Sequence, residues 1–186
     1  MTDADGIDVG SCERCSALVR SRSRIVNGVG DADADLVFVG EAPGQREDDL
    51  GEPFVGRSGD LLTEKLDDLG VAREDVRITN SVRCRPPENR DPRKKELANC
   101  RSYLHREISA VDPEAVCTLG RVPTGNLLGG SFKMADVVGD VRELKIETDV
   151  YPLVPCYHPA AMLYDRSKED RFEQVLEKAA ILAGYL

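Results

Sequence analysis

The sequence LVFVGEAPG, residues 36–44, sets the interpretation of this chain, because an apolar run leads directly into a loop of small residues. A continuous apolar run of this length is typical of a strand in a parallel sheet, where both faces are covered. Glycine-rich loops after such strands often hold phosphate. Here the loop carries Glu41 and is followed by three more carboxylates before residue 50, with no lysine. It would repel a phosphate, so the loop predicts another kind of ligand.

Strand and helix patterns alternate along the rest of the chain. Apolar runs predict strands at 36–40, 76–80, 115–120 and 151–156. Helices are predicted to begin at a Ser58 cap, at Asp91-Pro92, at Arg121 and near Ser167. This order predicts an α/β protein with a mostly parallel sheet covered on both faces. We expect one domain over residues 1–186, with a flexible tail at 1–11.

Three stretches of unusual chemistry follow predicted strands. They are GEAPG at 40–44, TNSVRCRPPENR at 79–90 and CYHPAA at 156–161. Ligands of open α/β sheets bind beyond the carboxyl ends of the strands. The three stretches are therefore expected to meet in space.

The composition is acidic, with 34 acidic residues against 25 basic ones and a net charge of −9. Arginine outnumbers lysine, aspartate outnumbers glutamate and tryptophan is absent, which favours a protein of a high-salt cytosol. No signal peptide or membrane-length apolar run is evident, so we expect an intracellular protein without membrane contact.

The basic residues are unevenly distributed. Eight arginines and lysines lie between Arg83 and Arg106 against three carboxylates, and a second basic run covers 14–24. Such runs indicate either one basic face on an acidic body or ordinary solvated helix faces. Composition alone does not choose between them.

Four of the six cysteines lie outside the predicted strands. Cys12 and Cys15 form a C-x2-C pair, and fifteen residues separate Cys84 from Cys100. In an intracellular protein this set favours a metal site over disulfides, and its spacing fits zinc or iron–sulfur equally. Four unliganded thiols are the alternative. Cys117 and Cys156 are expected to be core residues.

Taken together, the ordered motifs resemble the family 4 uracil-DNA glycosylases, the iron–sulfur type. The resemblance rests on the four cysteines and on GEAPG, EPFVGRSG at 52–59, TNSVRCRPPENR and YHPAA at 157–161, and it extends from about Ser11 to the C-terminus. It implies a three-layer α/β/α sandwich around a four-stranded parallel sheet. It also implies a monofunctional glycosylase that acts as a monomer on uracil in single- or double-stranded DNA and initiates base excision repair. A [4Fe–4S] cluster on Cys12, Cys15, Cys84 and Cys100 follows from it, in preference to zinc.

The resemblance assigns the uracil pocket. A base in a duplex must be flipped out before its glycosidic bond can be reached. Phe54 would be the platform for the flipped base, Asn80 the reader of the uracil edge, and His158 the hydrogen-bond donor to uracil O2. From the residues alone, core packing is the alternative for Phe54, a strand-end turn for Asn80 and a structural role for His158. His105 is expected to be structural.

The same resemblance extends to the loop at 40–44. Ala42 and Pro43 would form the pocket wall, and Glu41 would orient the attacking water or stabilise the oxocarbenium-like sugar. Glu47 and Asn89 are rival or supporting groups, with simple solvation as the alternative for Glu47 and Asp48.

The segment after His158 is expected to enter the minor groove, with Met162 or Leu163 as the wedge. Two departures from the family pattern bear on DNA affinity: Val138-Gly139 replaces an Arg-Gly, and Tyr164 and Asp165 precede the next arginine.

Two other functions are compatible with these motifs. One is a damage-binding protein of the same fold with weak catalysis. The other is an iron–sulfur module for electron transfer or regulation.

Overall fold

The computed structural model describes residues 7–186. Its longer elements, in chain order, are helix α1 (Ser16–Ser21), strand β1 (Leu36–Gly40), helices α2 (Gln45–Leu50) and α3 (Arg57–Asp68), strand β2 (Arg77–Asn80), helix α4 (Lys94–Val111), strand β3 (Ala115–Leu119), helices α5 (Arg121–Leu128) and α6 (Met134–Val137), strands β4 (Arg142–Ile146) and β5 (Asp149–Cys156), and helices α7 (Ala160–Tyr164) and α8 (Glu169–Leu182). Short 3-10 turns lie at Arg73–Asp75, Pro87–Asn89 and Arg166–Lys168.

One five-stranded sheet forms the centre, in the order β2-β1-β3-β5-β4. The first four strands are parallel, and β4 pairs with β5 in the antiparallel sense. The predicted three-layer α/β class is confirmed, with the four predicted strands as the parallel part. The prediction missed β4, whose residues alternate between exposed and buried and are mostly charged. Its turn relies on a left-handed Glu147 (φ 53°), a residue that sequence rules do not associate with such turns.

Apolar side chains fill the space on both faces of the sheet. On one face, Leu62 and Leu66 of α3 and Phe172 of α8 pack against alternate residues of β1 and β3. On the other, Leu104 and Ile108 of α4 pack against the intervening residues of the same strands. Both faces being covered explains why the central strands are apolar throughout.

Two helix starts differ from the prediction. The N-cap of α3 is Gly56 rather than Ser58, and α4 begins at Lys94 rather than at Asp91-Pro92. In α4 the Glu96 carboxylate accepts a hydrogen bond from the Arg93 backbone N–H at 2.7 Å, which fixes the first turn two residues later than predicted.

The predicted flexible tail is only partly covered by the described residues, since 1–6 lie outside them. Within the described part, Ile7 and Val9 are both buried. The Val9 N–H also donates to Asn27 Oδ1 at 2.9 Å, so apolar burial and a hydrogen bond hold this segment against the body.

No helix within residues 7–186 is long and apolar enough to cross a membrane.

A buried ion triad joins the sheet to α4. Glu107 has no exposed surface, and its carboxylate accepts from Arg77 Nε at 2.8 Å and from Arg83 Nη2 at 2.7 Å. Arg83 Nη1 also donates to Asn27 Oδ1 at 3.1 Å. Three charges are thus removed from water together, which is tolerated because each has hydrogen-bonded partners.

Replacing Glu107 with Gln is expected to lower the free energy of unfolding by about 3–5 kcal/mol, because two buried guanidinium groups lose their counter-charge. Urea unfolding of the parent and the variant measures this. The control is Glu143→Gln on the exposed face of β4, expected within about 0.5 kcal/mol of the parent. Equal stability of the Glu107 variant and the parent would contradict the role of the triad.

Candidate uracil pocket and cysteine cluster

The ends of three parallel strands surround a small cavity of about 180 Å³ at the carboxyl edge of the sheet. Its walls come from the loop after β1, the end of β2 and the loop after β5, together with the Phe54 loop and α3. The lining residues are Ala42, Gly44, Glu47, Phe54, Ser58, Asn80 and His158. The volume lies below the roughly 300 Å³ of drug-sized sites, so the cavity suits a ligand the size of one small ring.

Gly40 makes the close packing of this site possible. A Cβ there would lie 2.4 Å from Asn80 Oδ1 and 2.5 Å from Phe54 Cε2. Gly59 has the same function beneath the Phe54 backbone, where a Cβ would lie 1.7 Å from the Phe54 carbonyl oxygen. Both glycines fall within the quoted motifs, but sequence reasoning did not identify their packing role.

Phe54 belongs both to the core and to the cavity wall. Its ring centroid lies 5.8 Å from that of His158, with the planes tilted by 31°. The backbone of Phe54 adopts a positive φ of 54°, which is uncommon for a bulky residue and is held here by the surrounding packing. The two rings form a rigid aromatic boundary on one side of the cavity.

Asn80 ends β2 beside Gly40, its register partner on β1. The next residue secures the junction, since Ser81 donates to the Gly40 carbonyl from both its backbone N–H, at 2.8 Å, and its hydroxyl, at 2.9 Å. Asn80, which is 4% exposed, therefore has its backbone secured at the cavity wall.

His158 is neutral at physiological pH, since burial lowers its pKa to about 4. Its Nδ1 accepts a hydrogen bond from the Ala160 backbone N–H at 3.1 Å. In the neutral ring the proton must then be on Nε2, which becomes a hydrogen-bond donor.

The carboxylates of the first loop have different surroundings. Glu47 lines the cavity and accepts a hydrogen bond from the Gly44 N–H at 3.1 Å, which closes the first turn of α2. Glu41 is not among the lining residues. Its pKa is raised to about 7, mainly by burial and next by the nearby Asp91 carboxylate, while the positive charge of Arg121 opposes this rise. Near neutral pH the Glu41 carboxyl therefore takes up and releases a proton readily.

Some candidates from the sequence do not line the cavity. Pro43 is buried behind it. Asn89 is exposed, with its Oδ1 accepting from Arg85 Nε at 2.8 Å. Met162 is 5% exposed and packs in the core, whereas Leu163 is 42% exposed and Tyr164 91%. Of the two suggested wedge residues, only Leu163 is available at the surface without leaving the core.

The four candidate ligand cysteines line a second, smaller cavity between the N-terminal segment, the loop after β2 and α4. Cys100 lies inside α4, not in a loop or at the helix start. Two of the sulfurs accept hydrogen bonds: Cys84 Sγ from Arg22 Nη1 at 3.0 Å and Cys15 Sγ from Asn99 Nδ2 at 3.3 Å. The other two cysteines, Cys117 and Cys156, are buried in β3 and β5, as predicted.

Cys12, Cys15, Cys84 and Cys100 form a set of soft sulfur ligands, and neighbouring polar side chains donate hydrogen bonds to two of the sulfurs. Within residues 7–186 no group of three or more histidine, cysteine or acidic side chains is arranged to hold a metal ion. Burial raises the pKa of Cys100 to about 11 and that of Cys84 above its usual value, so these two thiols hold their protons near neutral pH.

Sequence comparison agrees with this arrangement. The family model of the uracil DNA glycosylase superfamily matches residues 27–180. That range includes the five strands and every residue lining the small cavity. The chain belongs to the uracil DNA glycosylase superfamily.

Its relatives narrow the assignment. The type-4 uracil-DNA glycosylase of Archaeoglobus fulgidus is 41% identical over 181 residues, covering 95% of this chain and 90% of the relative. The type-4 enzyme of Saccharolobus solfataricus is 41% identical over 91% of this chain and 82% of its own length. The type-4 enzyme of Sulfurisphaera tokodaii is 40% identical, covering 95% and 82%. The predicted resemblance to the type-4 branch is confirmed.

The neutral His158 predicts a pH dependence of stability. Its pKa is about 4 in the folded protein and about 6.5 in an unfolded chain, so the unfolded chain takes up the proton first as the pH falls. The stability contribution of the neutral ring is complete above pH 6.5 and is lost as the pH falls from about 6.5 through 4.

NMR titration of the two histidine rings tests this, with His158 expected to stay neutral down to about pH 4. His158→Gln is the matched variant, which lacks the titrating group and is expected to lose that part of the pH dependence. A His158 midpoint near 6.5 would contradict the assignment.

Proposed function

We propose that this chain flips uracil out of DNA into the cavity between Phe54, Asn80 and His158 and hydrolyses its N-glycosidic bond. Membership of the superfamily makes the chain a uracil-DNA glycosylase, a hydrolase of base excision repair. The observation that carries the mechanism is the small cavity, which combines an aromatic wall, a buried asparagine and a neutral histidine with a free donor.

Asn80 would select uracil through its amide. The side-chain N–H donates to uracil O4 and the side-chain oxygen accepts from N3–H, whereas cytosine presents the opposite pattern at these atoms. A mismatched base would leave buried polar groups unpaired, which costs about 1–3 kcal/mol per group. The backbone junction with Gly40 supports this role, because it holds Asn80 at the cavity wall.

His158 would stabilise the departing base. When the bond between C1′ of the sugar and N1 of uracil breaks, the electron pair goes to uracil and negative charge gathers at O2. The Nε2–H of the neutral imidazole would donate a hydrogen bond to that oxygen. A preorganised donor in a dry site is worth roughly 3–4 kcal/mol by analogy with oxyanion holes.

A carboxylate would assist the water that attacks C1′. We assign this to Glu41, which must be deprotonated to accept a proton from water or to face the positive charge developing on the sugar. A pKa of about 7 suits a group that exchanges protons near neutral pH. Glu47 is a supporting group, because its carboxylate lines the cavity while its bond to Gly44 N–H holds the loop in shape.

Two other assignments carry less structural support. Asn89 would reach a substrate only in the DNA complex, since its amide binds Arg85 in the free protein. Ala42, which lines the cavity, would form part of the pocket wall. Pro43, which is buried and does not line the cavity, would hold the shape of the loop.

The DNA would lie across the carboxyl edge of the sheet, either single- or double-stranded. Leu163, on α7 directly after the His158 loop, would enter the space left by the flipped nucleotide. Tyr164 beside it offers an aromatic surface to a neighbouring base. The exposed basic residues between Arg85 and Arg106 would face the phosphates, whereas Arg83 is buried against Glu107.

We further propose that Cys12, Cys15, Cys84 and Cys100 hold a [4Fe–4S] cluster. A zinc ion needs four ligands within about 2.3 Å of one point, whereas a cluster binds cysteines that are farther apart around a shared space. The cluster would act structurally, joining the N-terminal segment to α4. Arg22 and Asn99 would hold two of the ligand sulfurs by hydrogen bonds.

Residues 1–186 would form one glycosylase domain that acts as a monomer on the DNA of a cytoplasm. The acidic, lysine-poor composition favours a cytoplasm rich in salt.

Replacing His158 with Ala is expected to reduce the rate of uracil release about 10²–10³-fold, because the donor to O2 is lost. Asn80→Ala should also reduce it sharply, through loss of base recognition. The assay is release of free uracil from a uracil-containing oligonucleotide at low and molar salt. The control is His105→Ala, which removes the other histidine and should retain parental activity; an equally impaired control would contradict the assignment.

Replacing Cys100 with Ser is expected to lower bound iron and sulfide and to reduce thermal stability, because a cluster ligand is lost. The control is Cys117→Ser, a thiol in β3 that lies outside the cluster cavity. Chemical analysis of iron and sulfide in purified protein gives the answer. Parental iron content in the Cys100 variant would argue against the ligand set.

A further inference from the structure

A groove of about 590 Å³ lies between α4 and α5, separate from the uracil cavity and from the cysteine cavity. Its volume is more than three times that of the uracil cavity. Lys94 and Arg101 of α4 line one side, and Arg121 and Asn126 of α5 line the other. Because α5 starts directly after β3, the groove opens at the same edge of the sheet as the uracil cavity.

The groove is positively charged although the protein is acidic. Three of its lining residues are cationic, and the single acidic one among the described residues is Asp91. That carboxylate is paired with Arg121, Oδ2 to Nη2, at 3.1 Å. The charges of Lys94 and Arg101 therefore remain uncompensated within the groove lining, which favours an anionic ligand.

A buried amide supports the same conclusion. Asn126 is 6% exposed, and its Oδ1 accepts from both Nε and Nη2 of Arg101, at 3.2 and 3.1 Å. Its Nδ2 has no hydrogen-bond partner in the described part of the chain. A buried donor without an acceptor is costly, and a ligand oxygen would remove that cost.

The Gly129–Ser131 loop bounds the groove at the end of α5. A Cβ on Gly125 would lie 2.6 Å from the Gly130 carbonyl oxygen, so only glycine lets this loop fold back against the helix. The glycines leave room for a ligand to approach the backbone closely.

The groove connects to the catalytic edge through Asp91 and Arg121, which line it and also interact electrostatically with the Glu41 carboxyl. We infer that the groove binds the sugar–phosphate backbone of the DNA strand next to the flipped nucleotide. Lys94 and Arg101 would each contact a phosphate, and Asn126 would hold the Arg101 guanidinium in place. This inference rests on the proposed function, since it needs DNA at this edge of the sheet.

The salt dependence of DNA binding tests the inference. The probe is a duplex oligonucleotide that carries a stable abasic-site analogue, and its dissociation constant is measured over a range of salt concentrations. Lys94→Ala and Arg101→Ala should each reduce the slope of log affinity against log salt by about 1, because one phosphate contact is lost. Lys145→Ala, on β4 near the opposite edge of the sheet, is the matched control and should leave the slope unchanged.

A second measurement locates the contact. Single phosphates of the duplex are replaced in turn by uncharged methylphosphonates, and affinity is compared between the parent and each variant. We expect a loss at one or two positions for the parent and no further loss at those positions for Arg101→Ala. Asn126→Asp can keep the hydrogen bond to Arg101 but adds a negative charge, so it should also weaken DNA binding. Because that variant retains the contact that holds Arg101, a loss of binding is not explained by misfolding.

Uracil release by the parent is measured in parallel, so the two hypotheses can fail separately. A parent that releases uracil, with variants that keep the parental slope and the parental methylphosphonate losses, would overturn the groove as a phosphate site. A parent that releases no uracil, with variants that lower the slope, would overturn the proposed function and support the groove.

Discussion

The fold and both candidate sites depend on the carboxylate of Glu107, buried between Arg77 and Arg83. A carboxylate without exposed surface is stable only with partners of opposite charge, so its position fixes both arginines. Arg77 starts the strand that ends in Asn80, and Arg83 precedes Cys84. Glu107 itself lies on α4, two turns after Cys100. One buried anion therefore sets the spacing between β2, which ends in Asn80, and two of the candidate ligand cysteines.

Burial also sets the charge state of two groups at the carboxyl edge of the sheet, with opposite effects on the pKa of a histidine and of a carboxyl group. It lowers the pKa of His158 and raises that of Glu41, because a poorly solvated site disfavours the charged form of either group. The histidine is thus kept as a neutral donor. The carboxyl group is brought close to neutrality, where a proton can be exchanged with water.

Acidic residues of this chain act as internal anchors as well as surface charges. Asp48, next to the cavity-lining Glu47, is buried, and its two carboxylate oxygens accept from the Ser23 N–H at 2.9 and 2.8 Å. The neighbouring Arg22 donates to Cys84 Sγ and, at 2.8 Å, to the Cys12 carbonyl. The pocket loop and the cysteine cavity are thereby linked through two adjacent residues of the N-terminal segment. Solvation, the simple interpretation of an acidic run, does not describe Asp48.

The parallel sheet is predictable from the residues alone, because the apolar runs at 36–40 and 115–119 are stable only when both faces of the sheet are covered. It also placed the three chemical stretches at one edge, because parallel strands end together. It could not reveal β4, whose charged residues show neither an apolar run nor a familiar turn. The folded structure is needed to show that Met162 packs inward, that Glu41 lies towards Asp91, and that Arg101 and Arg121 face one groove. Those outcomes depend on distances between elements far apart in the chain, which local spacing does not encode.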